Sequence, residues 1–464
     1  MRFLACWGAL LVAGCGFQEY RAQPLDAEQS AAQFRQRSLS DPALAAYARG
    51  HGFPGDAWPP RPWSLQGLTV AAMYFQPELE VARSEQAVAA AAAQASRRPP
   101  VGVNAGIEHH DLTAGRDSAW SYGAGLEIPL RASDREAARS EQALAALQAA
   151  DIAVEQAVWQ VRTRLLRRFV DLSAARRELA ALHDEAEVRR EMLVLLDNRL
   201  AAGAASARES AESRRRLAET GQALLLAEGR EAAVVAGLAQ AIGIAVAQLR
   251  KVELSFGELD AAPVPLDPPQ LEAHALRQRS DLRRGLARYA AAEAALKLEV
   301  ARQYPEISFK PGYLWDQGDR RWSFALGWLL PPEANRGAIA EAEAKRQLAA
   351  GEFLALQAAA VAEIGQAVDN YRARAAALDA AQALDRAAEE QSRRTRRSFT
   401  AGAADRLDLL ADRLDRIAAG KAQALAQGEL QRAAADLEAA LQLSLLSPPP
   451  AVALDAPPAP GGGP

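Results

Sequence analysis

Cysteine is nearly missing from this chain, whose 464 residues hold only Cys6 and Cys15. Cys6 lies in an apolar N-terminal run that reads as a leader, so the mature chain is expected to form no internal disulfide. Histidine is scarce at five, and neither a CxxC pair nor a His/Cys cluster offers a zinc site. Aromatic residues are 6%, and long stretches lack both glycine and proline, a profile that excludes a string of compact globules and suits long helices. An excess of one charge is missing as well: 54 basic and 58 acidic residues are interspersed, for a formal charge of -4. No basic face therefore invites nucleic acid. Even Arg393, Arg394, Arg396 and Arg397 sit among acidic residues and read as a solvated helix face. There is no Ser/His/Asp set, no phosphate-cradling glycine loop and no spaced carboxylate pair, so neither an enzyme nor a resident cofactor is expected. The apolar stretch from Ala232 to Leu249 is Ala-rich and holds Gln240 and Gln248, which makes it a packed helix end and not a bilayer span.

What is present begins at the N-terminus. Arg2 precedes an apolar run from Phe3 to Val12 that is too short to cross a bilayer, followed by Ala13-Gly14-Cys15, the small-residue ending of a secretory signal. The phrase Leu11-Val12-Ala13-Gly14-Cys15 resembles a bacterial lipobox. That resemblance implies a leader over 1–14 and a palmitate-type anchor on Cys15, with Gly16 in place of an inner-membrane-retaining Asp. The plainer alternative is an ordinary signal peptide with an incidental cysteine. Residues 15–63 read as an irregular lead-in, marked by Gly52, Pro54, Gly55, Pro59, Pro60 and Pro62. A helix is expected from Leu65 to Ser96, stopped by Pro99-Pro100.

The chain is then duplicated. Trp120-Ser-Tyr-Gly-Ala-Gly-Leu-Glu-Ile-Pro-Leu130 returns as Trp322-Ser-Phe-Ala-Leu-Gly-Trp-Leu-Leu-Pro-Pro332, 202 positions later. The repeating units span 64–255 and 270–446, separated by a Pro-rich linker at 256–269 and followed by a low-complexity tail at 447–464. Each unit contains two alternating segments, at 101–128 and 306–330. Val103, Ala105 and Ile107, then Trp120, Tyr122, Leu126 and Ile128, oppose small or polar residues such as Asn104, Gly106, Ser121 and Gly123. Phe309, Tyr313 and Trp315, then Trp322, Phe324, Leu326 and Trp328, do the same in the second unit. Strands of about ten residues with one apolar face suit a bilayer, and the tryptophans suit its interfaces. The turns are placed around Gly115 to Asp117 and at Gln317 to Arg321, and Pro311 weakens the third strand. Glu108-His109-His110-Asp111 looks like a metal cluster, but adjacent residues of a strand point to opposite faces.

After each hairpin comes a helix. Ser133 and Glu136 have capping-box spacing, and no glycine or proline intervenes before Leu200. Leu144, Val158, Leu165, Leu172 and Leu179 keep one heptad position, and Val154, Val161 and Leu182 another. Leu354, Val361 and Val368, interleaved with Ile364, Tyr371 and Leu378, do so in the second unit. Both helices end alike, in Ala201-Ala202-Gly203-Ala204-Ala205-Ser206 and Ala401-Gly402-Ala403-Ala404-Asp405. Each glycine suits a left-handed C-cap, and Ser206 with Glu209 and Asp405 with Asp408 suit N-caps for return helices. Helical hairpins with tips at 203–206 and 402–405 follow.

Four strands cannot close a barrel, and an open sheet edge cannot face lipid, so several copies must close it together; two, three or four would serve. The order of leader, helix, β-hairpin, heptad hairpin with a glycine tip, and all of it again, resembles the TolC family of outer-membrane efflux proteins, over roughly Leu65 to Leu446. Ala291-Ala-Glu-Ala-Ala-Leu296, Gln303-Tyr304-Pro305 and Ala340-Glu-Ala-Glu-Ala344 are most similar to its CzcC-like heavy-metal branch. The resemblance implies a homotrimer: a twelve-stranded β-barrel, four strands per protomer, in the outer membrane of a Gram-negative bacterium, continued by a long α-helical coiled-coil tunnel through the periplasm. It also implies passive export of metal cations or drugs, with a periplasmic adaptor (a membrane fusion protein) and an inner-membrane efflux transporter as partners. The adaptor-facing residues would be Gly203, Ala204, Ser206, Gly402, Ala403 and Asp405. Asp405, Asp408 and Asp412 are candidates for acidic rings that narrow the pore, against a plain capping role. An exit duct for type I protein secretion shares the fold, and a periplasmic coiled-coil scaffold lipoprotein is the reading from another class.

Overall fold

The computed structural model describes residues 20–51, 53, 58–97, 102–110, 118–130, 133–260, 267–304, 306–329 and 335–445. The leader with Cys15, the first hairpin's turn with Asp111, Pro99-Pro100, Pro331-Pro332, residues 261–266 of the Pro-rich linker and the C-terminal tail lie outside them.

The lead-in is more ordered than its composition suggests. Helices α1 (Ala27–Gln36) and α2 (Pro42–Gly50) form because Asp26 accepts from the backbone N–H of Glu28 and Gln29, and Asp41 from that of Ala43. Trp63 then lies parallel to Leu254, donating to the Glu253 carbonyl at 2.8 Å and accepting from Ser255 at 2.9 Å. The single helix expected over 65–96 is two, α3 (Leu65–Phe75) and α4 (Pro77–Ser96). Proline disfavours a helical conformation in the residue before it, and Gln76 is accordingly extended at φ -72°, ψ 119°.

Strands β1 (Gly102–His109) and β2 (Trp120–Pro129) lead into α5 (Ser133–Ala201), whose 69 residues rise about 100 Å. Ser133 is its first helical residue. The chain returns by α6 (Ala207–Ile242), followed by the short α7 (Val246–Leu249) and a 3-10 turn at Gly257–Asp260. The second half repeats this order with α8 (Pro268–Gln278), α9 (Ser280–Arg302), β3 (Glu306–Asp316), β4 (Asp319–Leu329), α10 (Arg336–Thr400) and α11 (Arg406–Leu441).

The two hairpins join into one antiparallel sheet in the order β1-β2-β3-β4, in which Tyr122 faces Trp315 and Ser121 faces Asp316 across the β2–β3 seam. Pro311 does not break β3. It pairs with Phe324 on the β4 side, and the ladder lapses on the β2 side, between the Gly125–Gly312 and Ile128–Phe309 pairs. The second turn is tighter than expected: Gln317 (φ 50°) and Gly318 (φ 111°) alone make it, with the two positive φ values of a two-residue hairpin.

Helices α5 and α10 run the length of the helical part. Beside the sheet, α5 packs between α4 and α9, and α9 against α10; farther away, α5 packs between α6 and α11, and α11 against α10. One chain is thus a wall four helices wide. Its larger core gathers α3, Leu165, Phe169 and Leu172 of α5, and Leu238 and Ile242 of α6. A second joins Ile364, Val368 and Tyr371 of α10 to Leu430 and Leu437 of α11. The heptads are only partly buried within the chain. Leu354 is 62% exposed, and Leu144 and Val361 are exposed too, because α10 and the upper part of α5 meet no neighbour on those faces.

Candidate functional site

The sheet has two unlike faces. On one, Ile107, Trp322, Phe324 and Trp328 stand open, between 69% and 75% exposed. Tyr122 stacks on Trp315 at 4.7 Å, and Tyr313 meets Trp322 edge-on at 5.0 Å. The other face is small and polar: glycines fill its middle, Lys310 pairs with Glu127 at 2.7 Å toward the helices, and Ser121 donates to Asp316 at 2.7 Å toward the turns. Both edge strands, β1 and β4, lack an outer partner among the described residues. His109 lies on the apolar face against Trp120 at 4.6 Å, whereas His110 reaches Glu108 on the other at 3.2 Å. Among the described residues no group of three His, Cys, Asp or Glu side chains could hold a metal ion.

At the opposite end the two helical hairpins close by the same device. Gly203 and Gly402 share φ +74°. The N–H of Ala204 reaches the Arg199 carbonyl at 2.7 Å while Gly203 reaches Leu200; Ala403 reaches Ser398 at 2.8 Å while Gly402 reaches Phe399. These are paired Schellman motifs. Ser206 with Glu209 and Asp405 with Asp408 each form a reciprocal capping box. The structure brings the tip residues of the two halves together through Arg199, which donates to Asp405 at 3.0 Å. Nothing in the local sequence announces that bond, since the residues are 206 positions apart. Asp408 caps Asp405, Asp412 is buried at 8% exposure, and Arg413 of α11 lies 3.6 Å from Glu191 of α5.

The Asp408 backbone N–H, and then Arg199, hold the Asp405 carboxyl below its usual range, and Ser206 does the same for Glu209. A carboxyl with a depressed folded pKa contributes stability above its unfolded value near 4 and loses that contribution as pH falls through the lower folded value. Amide exchange at 203–209 and 402–408, corrected for intrinsic rate, is therefore expected to stay flat from pH 8 to 5 and to accelerate below about 4. Acceleration already between pH 8 and 6 would contradict the capping roles.

Two further positions escaped the sequence. The side chain of Gln76, at the α3–α4 break, donates to the carbonyls of Gln240 (2.7 Å) and Ala241 (2.6 Å) and so caps the end of α6. Arg279, at the α8–α9 break, donates to the Ala440 carbonyl at 2.7 Å and caps the end of α11. Each break thus supplies the donor that a helix C-terminus lacks. The first is reinforced from the lead-in by Arg37, which reaches the carbonyls of Phe75 (2.8 Å) and Gly243 (3.0 Å).

A mainly helical chain with a small antiparallel sheet and paired helical hairpins is the architecture of solved outer-membrane channels. VceC, an outer membrane protein of Vibrio cholerae, is similar with a TM-score of 0.67 and 19% identity, over 81% of this chain and 95% of its own. The outer-membrane channel OprN gives 0.67 and 19%, over 91% and 98%. The Campylobacter jejuni CmeC outer membrane channel gives 0.67 and 15%, over 92% and 93%. No curated protein matches the sequence. Within this fold class, residues 75–244 match the family model described as Outer membrane efflux protein. The match covers those residues, and over most of its length the chain has the fold of these outer-membrane channels.

Proposed function

We propose that three copies of this chain form the passive exit duct of a tripartite efflux system in the outer membrane. One observation carries the reading: an antiparallel sheet whose strands have the length to span a bilayer presents an open apolar face and two edges that are unpaired among the described residues. Hydrocarbon cannot satisfy the free backbone groups of an edge strand, so the sheet is stable there only when further copies close it into a barrel, twelve strands for three copies. The wall's edge helices support self-association: Val81 and Val88 of α4, Leu225 of α6 and Leu354 of α10 are all exposed, and copies laid edge to edge would bury them. Lipidation at Cys15 anchors the chain, and the tips at Gly203 to Ser206 and Gly402 to Asp405 meet a periplasmic adaptor coupled to an inner-membrane transporter. Asp405 and Asp408 narrow the duct there; Asp412, the third candidate for an acidic ring, is buried within the chain. Heavy-metal cations are the cargo suggested by the CzcC-like phrases; a deletion strain with unchanged metal tolerance would remove that choice and leave the duct standing.

The protein is expected in detergent extracts of outer membranes as a trimer by native mass spectrometry, at three times the mass of the processed, lipidated chain. Recovery as a soluble monomer would overturn the duct and favour a scaffold. Leu326→Arg places charge on the lipid face at a cost of about 2–4 kcal/mol and should deplete the trimer, whereas Ser323→Lys, on the opposite face, should not.

A further inference from the structure

We infer that the groove between α5, α6 and α11 is a binding site for an amphipathic anion. The inference stands on a single protomer and needs neither the barrel nor the trimer. The groove has a volume of about 550 Å³, within the range of small-molecule sites. Its floor is apolar and low because alanines come from all three helices: Ala174 and Ala175, Ala233, and Ala424. Leu425 is 63% exposed there, an apolar side chain without cover.

The rim decides the sign of the ligand. Four cations, Arg177, Arg230, Lys421 and Arg432, face two carboxylates, Asp171 and Glu178, which leaves an excess of two positive charges. The carboxylates are already taken: Arg230 binds Glu178 at 2.8 Å, and Arg432 binds Asp171 at 2.9 Å and Glu429, which does not line the groove, at 2.6 Å, while Arg168 lies 3.8 Å from Asp171. Arg177 and Lys421 make up the surplus. Arg177 is held by neutral groups, the Gln431 amide oxygen at 2.7 Å and the Ser173 hydroxyl at 2.9 Å, and its burial lowers its pKa despite the more distant Asp260. Lys421 makes no ion pair with any described residue. A desolvated guanidinium and a free ammonium beside an apolar floor complement a ligand that joins one negative head to a hydrophobic body. A cation would meet repulsion, and a neutral apolar molecule would leave the surplus uncompensated.

The test is calorimetric titration of naphthalene-2-sulfonate into the purified full-length protein in neutral maltoside detergent. Saturable binding at one site per chain is expected. The neutral analogue 2-naphthylmethanol should bind at least tenfold more weakly, and 2-naphthyltrimethylammonium should not bind. Lys421→Glu and Leu425→Glu should each weaken sulfonate binding at least tenfold. Leu425 is mostly in solvent, so its replacement leaves the fold intact, which an unchanged circular dichroism spectrum will verify. Absent saturation, equal binding of the ammonium analogue, or variants that bind like the parent would each overturn the assignment. A protein that proved monomeric would refute the duct and leave this titration readable, so the two failures are separable.

Discussion

Replacing Glu438 with leucine is expected to destabilise the protein by about 3–5 kcal/mol, the range for removing one partner of a buried ion pair. Glu438 of α11 and Arg162 of α5 are 2% and 3% exposed at the side chain and meet at 2.7 Å. The pair is fully engaged: Arg162 also donates to the Ser444 hydroxyl at 2.8 Å, and the Leu445 N–H donates to Glu438 at 3.0 Å. Without the carboxylate, the guanidinium stays buried with its main countercharge gone. The double variant Arg162→Met, Glu438→Leu removes both charges, so most of the loss should return, leaving about 1 kcal/mol for the unpaired Leu445 N–H. Guanidinium denaturation of the two variants separates the cases. A double variant as unstable as the single one would show that the site needs its charges, and a single variant within 1 kcal/mol of the parent would show that the pair is solvated.

Gly243→Ala is the second large effect, expected at about 3 kcal/mol, against about 1 kcal/mol for Gly203→Ala. Both glycines end helices in the left-handed region, at φ +88° and +74°, where a β-carbon costs about 1–2 kcal/mol. Their surroundings differ. A β-carbon on Gly203 would meet nothing within 4 Å, whereas one on Gly243 would lie 2.9 Å from the Phe75 carbonyl oxygen. That carbonyl cannot step aside, because Arg37 holds it and Gln76, the next residue, caps α6. Equal losses at the two sites would mean that the α3–α4 break yields to the intruding methyl.

The tips were legible residue by residue, since a left-handed glycine and an N-cap three positions on are local devices whose partners lie within about one turn. So was the two-faced character of the strands, because alternation alone places Trp322, Phe324 and Leu326 on one side. The break at Gln76 was available in Pro77 and was overridden by the helical pattern around it; the break at Arg279 has no proline to mark it. The heptads of Leu165 and Ile364 found partners within the chain, but the same periodicity at Leu144 and Leu354 did not. Periodicity reports that a face is apolar and is silent about what covers it.

The sequence by itself determined the strands, the helical hairpins, their order, the tip caps and the apolar faces, all of which follow from contacts between residues a few positions apart. Only the tertiary structure decided that β2 pairs with β3, that Arg199 reaches Asp405, that Gln76 and Arg279 cap helices ending more than 160 positions away, and that Arg162 meets Glu438 out of water. Those pairings join side chains whose separation along the chain carries no periodic signal. They are selected by the packing of α5 against its neighbours, which no stretch of sequence records.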